Sequence, residues 1–316
     1  MEGLDYKSNA AFSNIGDLPT GYFCYPELKP LFIRPFNISE LNLIHRGKAT
    51  GRLEHIVRAV DLVTNRDTLQ LTDGDFEFVM AWLRVQSFPE VPLLVQWKCT
   101  KVNVLSKYNK TYYRGPELTD LQMKLKGYER EVCNHDNTEI VHNHNTTITS
   151  LDDDFEQKGF ETTLEIDFPR VATLIEWYEL KEEQPELAEI ASLARWLKKG
   201  DNLKEKLEAF YELPAKAYTE LSRVAEKYRH GVRETVHLRC NLCENSLTHT
   251  TGVDHTAFFS DNSQTAIMDM QYKLMTAFKT SISENTPAKV FLYHYSSLLK
   301  DEQEEIARQN ANRNKR

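Results

Sequence analysis

The chain has 316 residues, enough for one large domain or two ordinary ones, and its shares of apolar (41%) and charged (27%) residues are those of a globular protein. A formal net charge of −8 argues against a dedicated nucleic-acid binder, which would carry a basic face. No run approaches eighteen apolar residues, so no membrane-spanning helix is expected, and Met1–Phe12 lacks the basic and apolar regions of a secretory signal. Five cysteines, without such a signal, read as metal ligands or buried thiols rather than a disulfide framework.

Residues 1–17 are polar and unpatterned and read as a mobile arm. A turn at Leu18-Pro19-Thr20-Gly21 leads into Tyr22, Phe23 and Tyr25, which suit either the core or an exposed interface strip. Cys24, between two of these aromatics, reads as a core residue. Pro30 and Pro35 keep the stretch around Ile33 and Phe36 extended. Asn37 or Ser39 offers an N-cap for a helix through Leu41 and Ile44, interrupted by Gly47 and Gly51. Leu53, Ile56, Val57, Val60 and Leu62 form a second amphipathic stripe. The next helix is the clearest: Thr72 caps it, Asp75 complements its dipole, and Phe76, Val79, Met80 and Leu83 line one face. Leu93, Val95 and Trp97 then alternate as a strand running into Cys99.

Residues 100–150 are the least regular, with a strand-like Thr111-Tyr112-Tyr113 and an Asn- and His-rich run from Cys133. Helical periodicity returns over about 171–230: Leu174, Ile175 and Tyr178, then a stripe from Leu187 to Leu197 closed by Lys198-Lys199-Gly200, then a helix after Pro214. His230-Gly231 reads as a helix C-cap whose cationic side chain the helix dipole favours. A short strand through Val236 and Leu238 enters Cys240, and two helices broken near Pro287 complete the chain. The expected fold is mainly α with short β-strands (α+β), a helical domain with an embedded zinc-ribbon-like knuckle. Its divisions are an arm (1–17), an N-terminal helical domain (18–98), a central and C-terminal helical region with the zinc site (99–260), and a helical tail (261–316).

Cys240-Asn241-Leu242-Cys243 is a CxxC knuckle, a spacing that brings two thiolates to one tetrahedral zinc while backbone amides of the turn point at the sulfurs. Two more ligands are needed. Cys99 is the third candidate and Cys133 the fourth, with His135 as an alternative because Cys133-Asn134-His135 puts both within reach of one ion. Such a structural zinc would close a long loop and tie the irregular middle to the C-terminal half. The alternative is that Cys99 and Cys133 are ordinary buried thiols. A redox CxxC lacks the βαβ pattern that would surround it.

His142-Asn143-His144 has the spacing for a second metal on a strand, but reads more simply as a polar loop. Asp152-Asp153-Asp154 reads as a solvated turn. The chain contains no GxSxG, Walker A loop, HExxH or GxGxxG after a strand, so it is not expected to be an enzyme and no catalytic or cofactor-binding residue is assigned. Two further readings are a zinc-ribbon nucleic-acid-binding or regulatory protein, which the acidic balance opposes, and a metallohydrolase built on His142, His144 and Asp152.

One family shares the order of these features. Leu18-Pro19-Thr20-Gly21-Tyr22, Ile33-Arg34-Pro35-Phe36 with Ser39-Glu40, Leu71-Thr72-Asp73-Gly74-Asp75, Trp82-Leu83-Arg84, Ser87-Phe88, Trp97 and Cys99 come first. Phe168-Pro169-Arg170, Ala194-Arg195-Trp196-Leu197, His230-Gly231-Val232, Cys240 to Cys243 and Phe258-Phe259 follow. In this order the chain resembles the T4-type phage baseplate hub proteins and hub assembly factors over most of residues 18–260. Each motif is short, and their order carries the likeness. The chain departs from the pattern at Cys99-Thr100-Lys101-Val102, where similar chains often have a second cysteine close by. The resemblance implies a myovirus tail-morphogenesis role, either as a virion structural protein or as a chaperone of hub assembly. The implied partners are other hub or tape-measure proteins, with no membrane and no nucleic acid. The implied location is the host cytoplasm during assembly, or the tail baseplate of the finished particle.

Overall fold

The computed structural model describes residues 12–87, 93–141, 145–152, 154–252, 267–279 and 281–313. In chain order it comprises β1 (Ser13–Asn14), β2 (Phe32–Ile33), α1 (Ile38–Thr50), α2 (Leu53–Asp61), α3 (Asp73–Ser87), β3 (Leu93–Lys98), β4 (Val102–Ser106), α4 (Asp120–Lys126), β5 (Tyr128–Val132), β6 (Asp136–Val141) and β7 (Asn145–Thr149). There follow α5 (Phe155–Lys158), α6 (Val171–Glu183), α7 (Ala188–Ala194), α8 (Leu203–Tyr211), α9 (Ala215–Lys227), β8 (Gly231–Arg239), β9 (Ser246–Gly252), α10 (Ile267–Phe278) and α11 (Ala288–Arg313). The fold is mainly α with short β-strands.

The chain divides into two compact units, both discontinuous in sequence. Unit 1 gathers residues 1–90, 148–233 and 252–316; unit 2 gathers 91–147 and 234–251. Sequence patterning had suggested contiguous segments instead, because it registers local period and not which distant segments pack together.

Unit 1 holds most of the helices. Leu41 and Ile44 of α1, Ile56, Val57 and Val60 of α2, and Phe76, Val79, Met80 and Leu83 of α3 are all buried. Each such side chain stabilises the fold by about 1.5–3 kcal/mol. Gly47 does not interrupt α1, which runs on to Thr50; a Cβ there would sit 2.8 Å from Ile56 Cγ1, so this glycine admits α2 at close range. The helix stops at Gly51, in the left-handed region at φ 68. The chain is already paired before residue 18, with Ser13 opposite Ile33 and Asn14 opposite Phe32; residues 1–11 of the expected arm lie outside the described residues. Tyr22 and Tyr25 are buried, which removes them from any interface strip. Cys24 packs against the cluster of Phe168, Leu221, Val224 and Tyr228. Helix α7 ends at Ala194, earlier than the Lys198-Lys199-Gly200 stop suggests, because Trp196 to Lys198 leave the helix to bond Glu165 to Asp167 around an Ile166–Leu197 bridge.

Unit 2 is built from strands. β3 pairs antiparallel with β6 (Leu93 opposite Val141 through Lys98 opposite Asp136), and β4 with β5 (Val102 opposite Val132 through Ser106 opposite Tyr128). The strands β7, β8 and β9 form a three-stranded sheet in that order. The middle of the chain is thus more regular than its composition suggests. Tyr128-Glu129-Arg130-Glu131-Val132 and Asp136-Asn137-Thr138-Glu139-Ile140-Val141 are short, polar strands whose partners lie tens of residues away, so no local apolar period marks them. Thr111–Tyr113 is not a strand; only Tyr112 makes an isolated bridge, to Leu105. Among the residues of this unit whose burial is described, the buried apolar side chains include Leu105, Leu118, Met123, Val236 and Leu238, beside Cys99 and Cys240.

Candidate metal centre

Two chain corners build half of the site. Cys99 follows β3 and Lys101 precedes β4; Cys133 follows β5 and His135 precedes β6. Because β3 pairs with β6 and β4 with β5, the corners lie side by side and bond each other reciprocally. The Cys99 N–H donates to His135 O at 2.9 Å, and the Cys133 N–H donates to Lys101 O at 2.9 Å. Asn134 takes the left-handed conformation (φ 50) that the second corner requires. Within each corner, the amide two residues on bonds the sulfur: Lys101 N–H to Cys99, His135 N–H to Cys133.

The other half is the turn between β8 and β9. The Cys240 N–H donates to Asn245 O at 2.8 Å, the Glu244 N–H donates to Cys240 O at 2.9 Å, and the Leu242 and Cys243 amides bond the Cys240 sulfur. Asn137 on β6 joins the halves. Its Nδ2 lies 3.6 Å from Cys240 Sγ and 3.0 Å from His135 O, while its Oδ1 accepts from the Asn241 N–H at 3.0 Å.

The four sulfurs of Cys99, Cys133, Cys240 and Cys243 lie within 4.8 Å of one another. Cys99–Cys243 and Cys133–Cys240 are each separated by 3.7 Å. A disulfide would hold its sulfurs about 2.05 Å apart. Four thiolates about 2.3 Å from a central ion make a tetrahedron with edges of about 3.8 Å. The spacing therefore fits a tetrahedral metal and not a bonded pair.

The electrostatics agree. Burial raises the Cys240 thiol, but the Cys243 and Leu242 amides and the Asn137 side chain outweigh it and bring the thiol down to about 6. Burial pushes Cys99 up to about 12 and raises Cys133, and the Cys240 and Cys243 thiols add to both shifts. One thiolate forms readily while its neighbours resist further negative charge, which is the condition a cation relieves. Cys99 and Cys240 are buried, and Cys133 and Cys243 half-buried. With four protein sulfurs, a tetrahedral ion would have no open position.

The four cysteines named from sequence are thus brought together, and the His135 side chain is not among the clustered groups; its role is the main-chain carbonyl. Sequence reasoning missed Asn137, which nothing distinguishes from Asn134 or Asn143 until β6 is paired. Tyr112 was also missed; its hydroxyl reaches Cys133 and is raised first by burial and then by the thiols. His142 and His144 lie outside the described residues. Asp152 and Asp154 are exposed just ahead of α5, and among the described residues no other group of three potential ligands is close enough to share an ion.

A second polar cluster lies within unit 1 and joins many of the motifs read from sequence. Asp75, fully buried on α3, accepts from the Thr20 amide at 3.0 Å, from Thr20 Oγ1 at 2.5 Å and from the Tyr25 hydroxyl. Arg195 donates to Asp73 Oδ1 (2.5 Å), Thr173 Oγ1 (3.1 Å) and Arg170 O (3.0 Å). Thr72 Oγ1 lies 2.8 Å from His230 Nε2, and His230 Nδ1 lies 3.1 Å from Tyr228 O. Burial lowers the His230 pKa, so this side chain is a neutral link and not the cation expected at a helix end. Burial raises Asp75 to about 7 against the Thr20 hydrogen bonds and Arg170, and raises Glu77 to about 8 with help from Asp73. The cluster clamps the starts of α3, α6 and β8 together.

No family model, curated protein or solved structure matches this chain.

Proposed function

We propose that this chain is a structural component or assembly factor of a contractile phage tail baseplate hub, acting through protein–protein contacts and held together by a structural zinc. The observation that carries the zinc is the set of four sulfurs at tetrahedral spacing, with amide donors at Cys99, Cys133 and Cys240. Thiolate-only ligation selects zinc among the common divalent ions, and the closed set suits a staple rather than a catalyst. In this reading the Cys240–Cys243 turn is a zinc-ribbon-like knuckle and the protein is not an enzyme. The hub assignment rests on the ordered motifs. Thr20, Arg34, Asp73, Asp75, Arg170, Arg195 and His230, all from those motifs, make side-chain ties inside unit 1, such as the Arg34–Glu40 pair at 3.0 Å.

Quantitative mass spectrometry of purified virions and of infected-cell lysate tests the role. A few copies per tail would make the chain a hub component. Absence from virions with co-purification on tail precursors would make it an assembly factor, and finding it in neither would end the phage reading.

A further inference from the structure

Helix α4 is specified more firmly than its burial requires. Thr119 and Gln122 form a reciprocal capping box, with Gln122 N donating to Thr119 Oγ1 at 3.3 Å and Thr119 N to Gln122 Oε1 at 3.0 Å. Gly127, left-handed at φ 72, closes the other end. Inward the helix buries only Met123, with Leu118 just ahead of it. Its opposite face is also apolar: Leu121 and Leu125, one turn apart, are 68% and 78% exposed. Tyr108 lies across Gly127, whose missing Cβ would sit 2.4 Å from the Tyr108 ring, and is 88% exposed. Glutamine or glutamate would hold an exposed helix as well as leucine does, so helix propensity does not account for the two leucines.

Lys107, Lys124 and Lys126 are exposed neighbours of these side chains in sequence and have no ion-pair partner among the described residues. By contrast Lys110 is neutralised by Glu129 and Glu131, and Arg130 by Asp120. Unit 2 carries nine Lys and Arg against eight Asp and Glu, whereas unit 1 carries thirty against thirty-nine.

We propose that Tyr108, Leu121 and Leu125, with Lys107, Lys124 and Lys126, form a docking surface for the anionic interface of a lipid bilayer. Three apolar side chains standing this far out of the surface suit insertion into a soft medium. Tyrosine prefers the headgroup level, and lysines pair with lipid phosphates while their stems stay apolar. Unit 2, unlike unit 1, meets an anionic surface without net repulsion. Peripheral contact of this kind needs no spanning helix, and none of the described helices is long and apolar enough to be one. This surface departs from the partners that the family resemblance implies, which include no membrane.

The test is co-sedimentation of the full-length, zinc-loaded chain with vesicles of phosphatidylcholine alone or of phosphatidylcholine with phosphatidylglycerol. Binding is expected to the second kind only and should weaken with salt. Each Lys→Gln change among the three lysines should lower partition about fivefold. Leu121→Ser with Leu125→Ser should abolish binding while leaving circular dichroism and zinc content unchanged, since both side chains are exposed. Equal binding to both vesicle types, no binding to either, or a double variant that binds like the wild type would overturn the proposal. Retention of polyglutamate by a chain that ignores vesicles would assign the surface to an acidic protein and overturn it equally.

Discussion

Cys99 Sγ lies 3.7 Å from Cys243 Sγ although 144 residues separate the two in sequence. The contact depends on pairings made far from it: β3 with β6 places Cys99 beside the Cys133 corner, and the Asn137 side chain on β6 reaches the Cys240 turn. The four sulfurs thus join segments of chain far apart in sequence, which is where a bound ion contributes most to folding.

Purified protein should contain one zinc per chain by elemental analysis. Cys240→Ser should lose it and destabilise or aggregate the protein, whereas His135→Ala should keep it, because His135 serves the site through its main chain. A Cys240→Ser variant with unchanged metal content and melting temperature would refute the staple.

Asn137→Leu leaves the Asn241 N–H and the Cys240 sulfur without their side-chain partner. The expected cost is about 1–3 kcal/mol in denaturant unfolding. A roughly 10–100-fold loss of zinc affinity in chelator competition should accompany it, as for other groups that orient metal ligands.

Asp75 sets a pH dependence. Its carboxyl is raised from 3.8 to about 7 by burial, so between those values the folded state holds a proton that the unfolded state has released. Its contribution to stability is therefore full below pH 4 and is lost as pH rises toward 7. Glu77, raised to about 8, acts in the same direction. Unfolding free energy measured from pH 5 to 7.5 should fall more steeply for the wild type than for Asp75→Asn. A steeper fall in the variant would show that the Thr20 hydrogen bonds favour the carboxylate instead.

Gly74 and Gly231 touch. A Cβ on Gly74 would lie 2.4 Å from His230 O, and one on Gly231 would lie 2.7 Å from Gly74 Cα on a backbone held at φ 114. Either change to alanine should destabilise unit 1 by about 1–3 kcal/mol or more, read as a lower denaturation midpoint, because the nearest atoms are backbone and cannot move aside. Gly159→Ala is the control: it too has positive φ, but nothing lies within 4 Å of its added Cβ, so only the conformational cost remains.

The helices that pack by one regular stripe were legible because their period is local. Phe76, Val79, Met80 and Leu83 mark α3, and Thr72 marks its start, without reference to any other part of the chain. The CxxC at Cys240 was legible for the same reason, and the scarcity of cysteines made Cys99 and Cys133 the natural complement. Local signals misled where a partner sets the outcome. Gly47 reads as a helix break until α2 is seen against it, and His230 reads as a helix-end cation until its burial against Thr72 is known.

By itself the sequence determined the mainly helical class, the apolar faces and the four sulfurs available to a metal, since residue type and short-range spacing are enough for each. Only the tertiary structure decided that residues 91–147 belong with 234–251, that Asn137 joins the two halves of the sulfur cluster, and that Asp75 holds the Thr20 turn. Those relationships join residues more than fifty positions apart, and strand pairing and burial, which no local pattern encodes, bring them into contact.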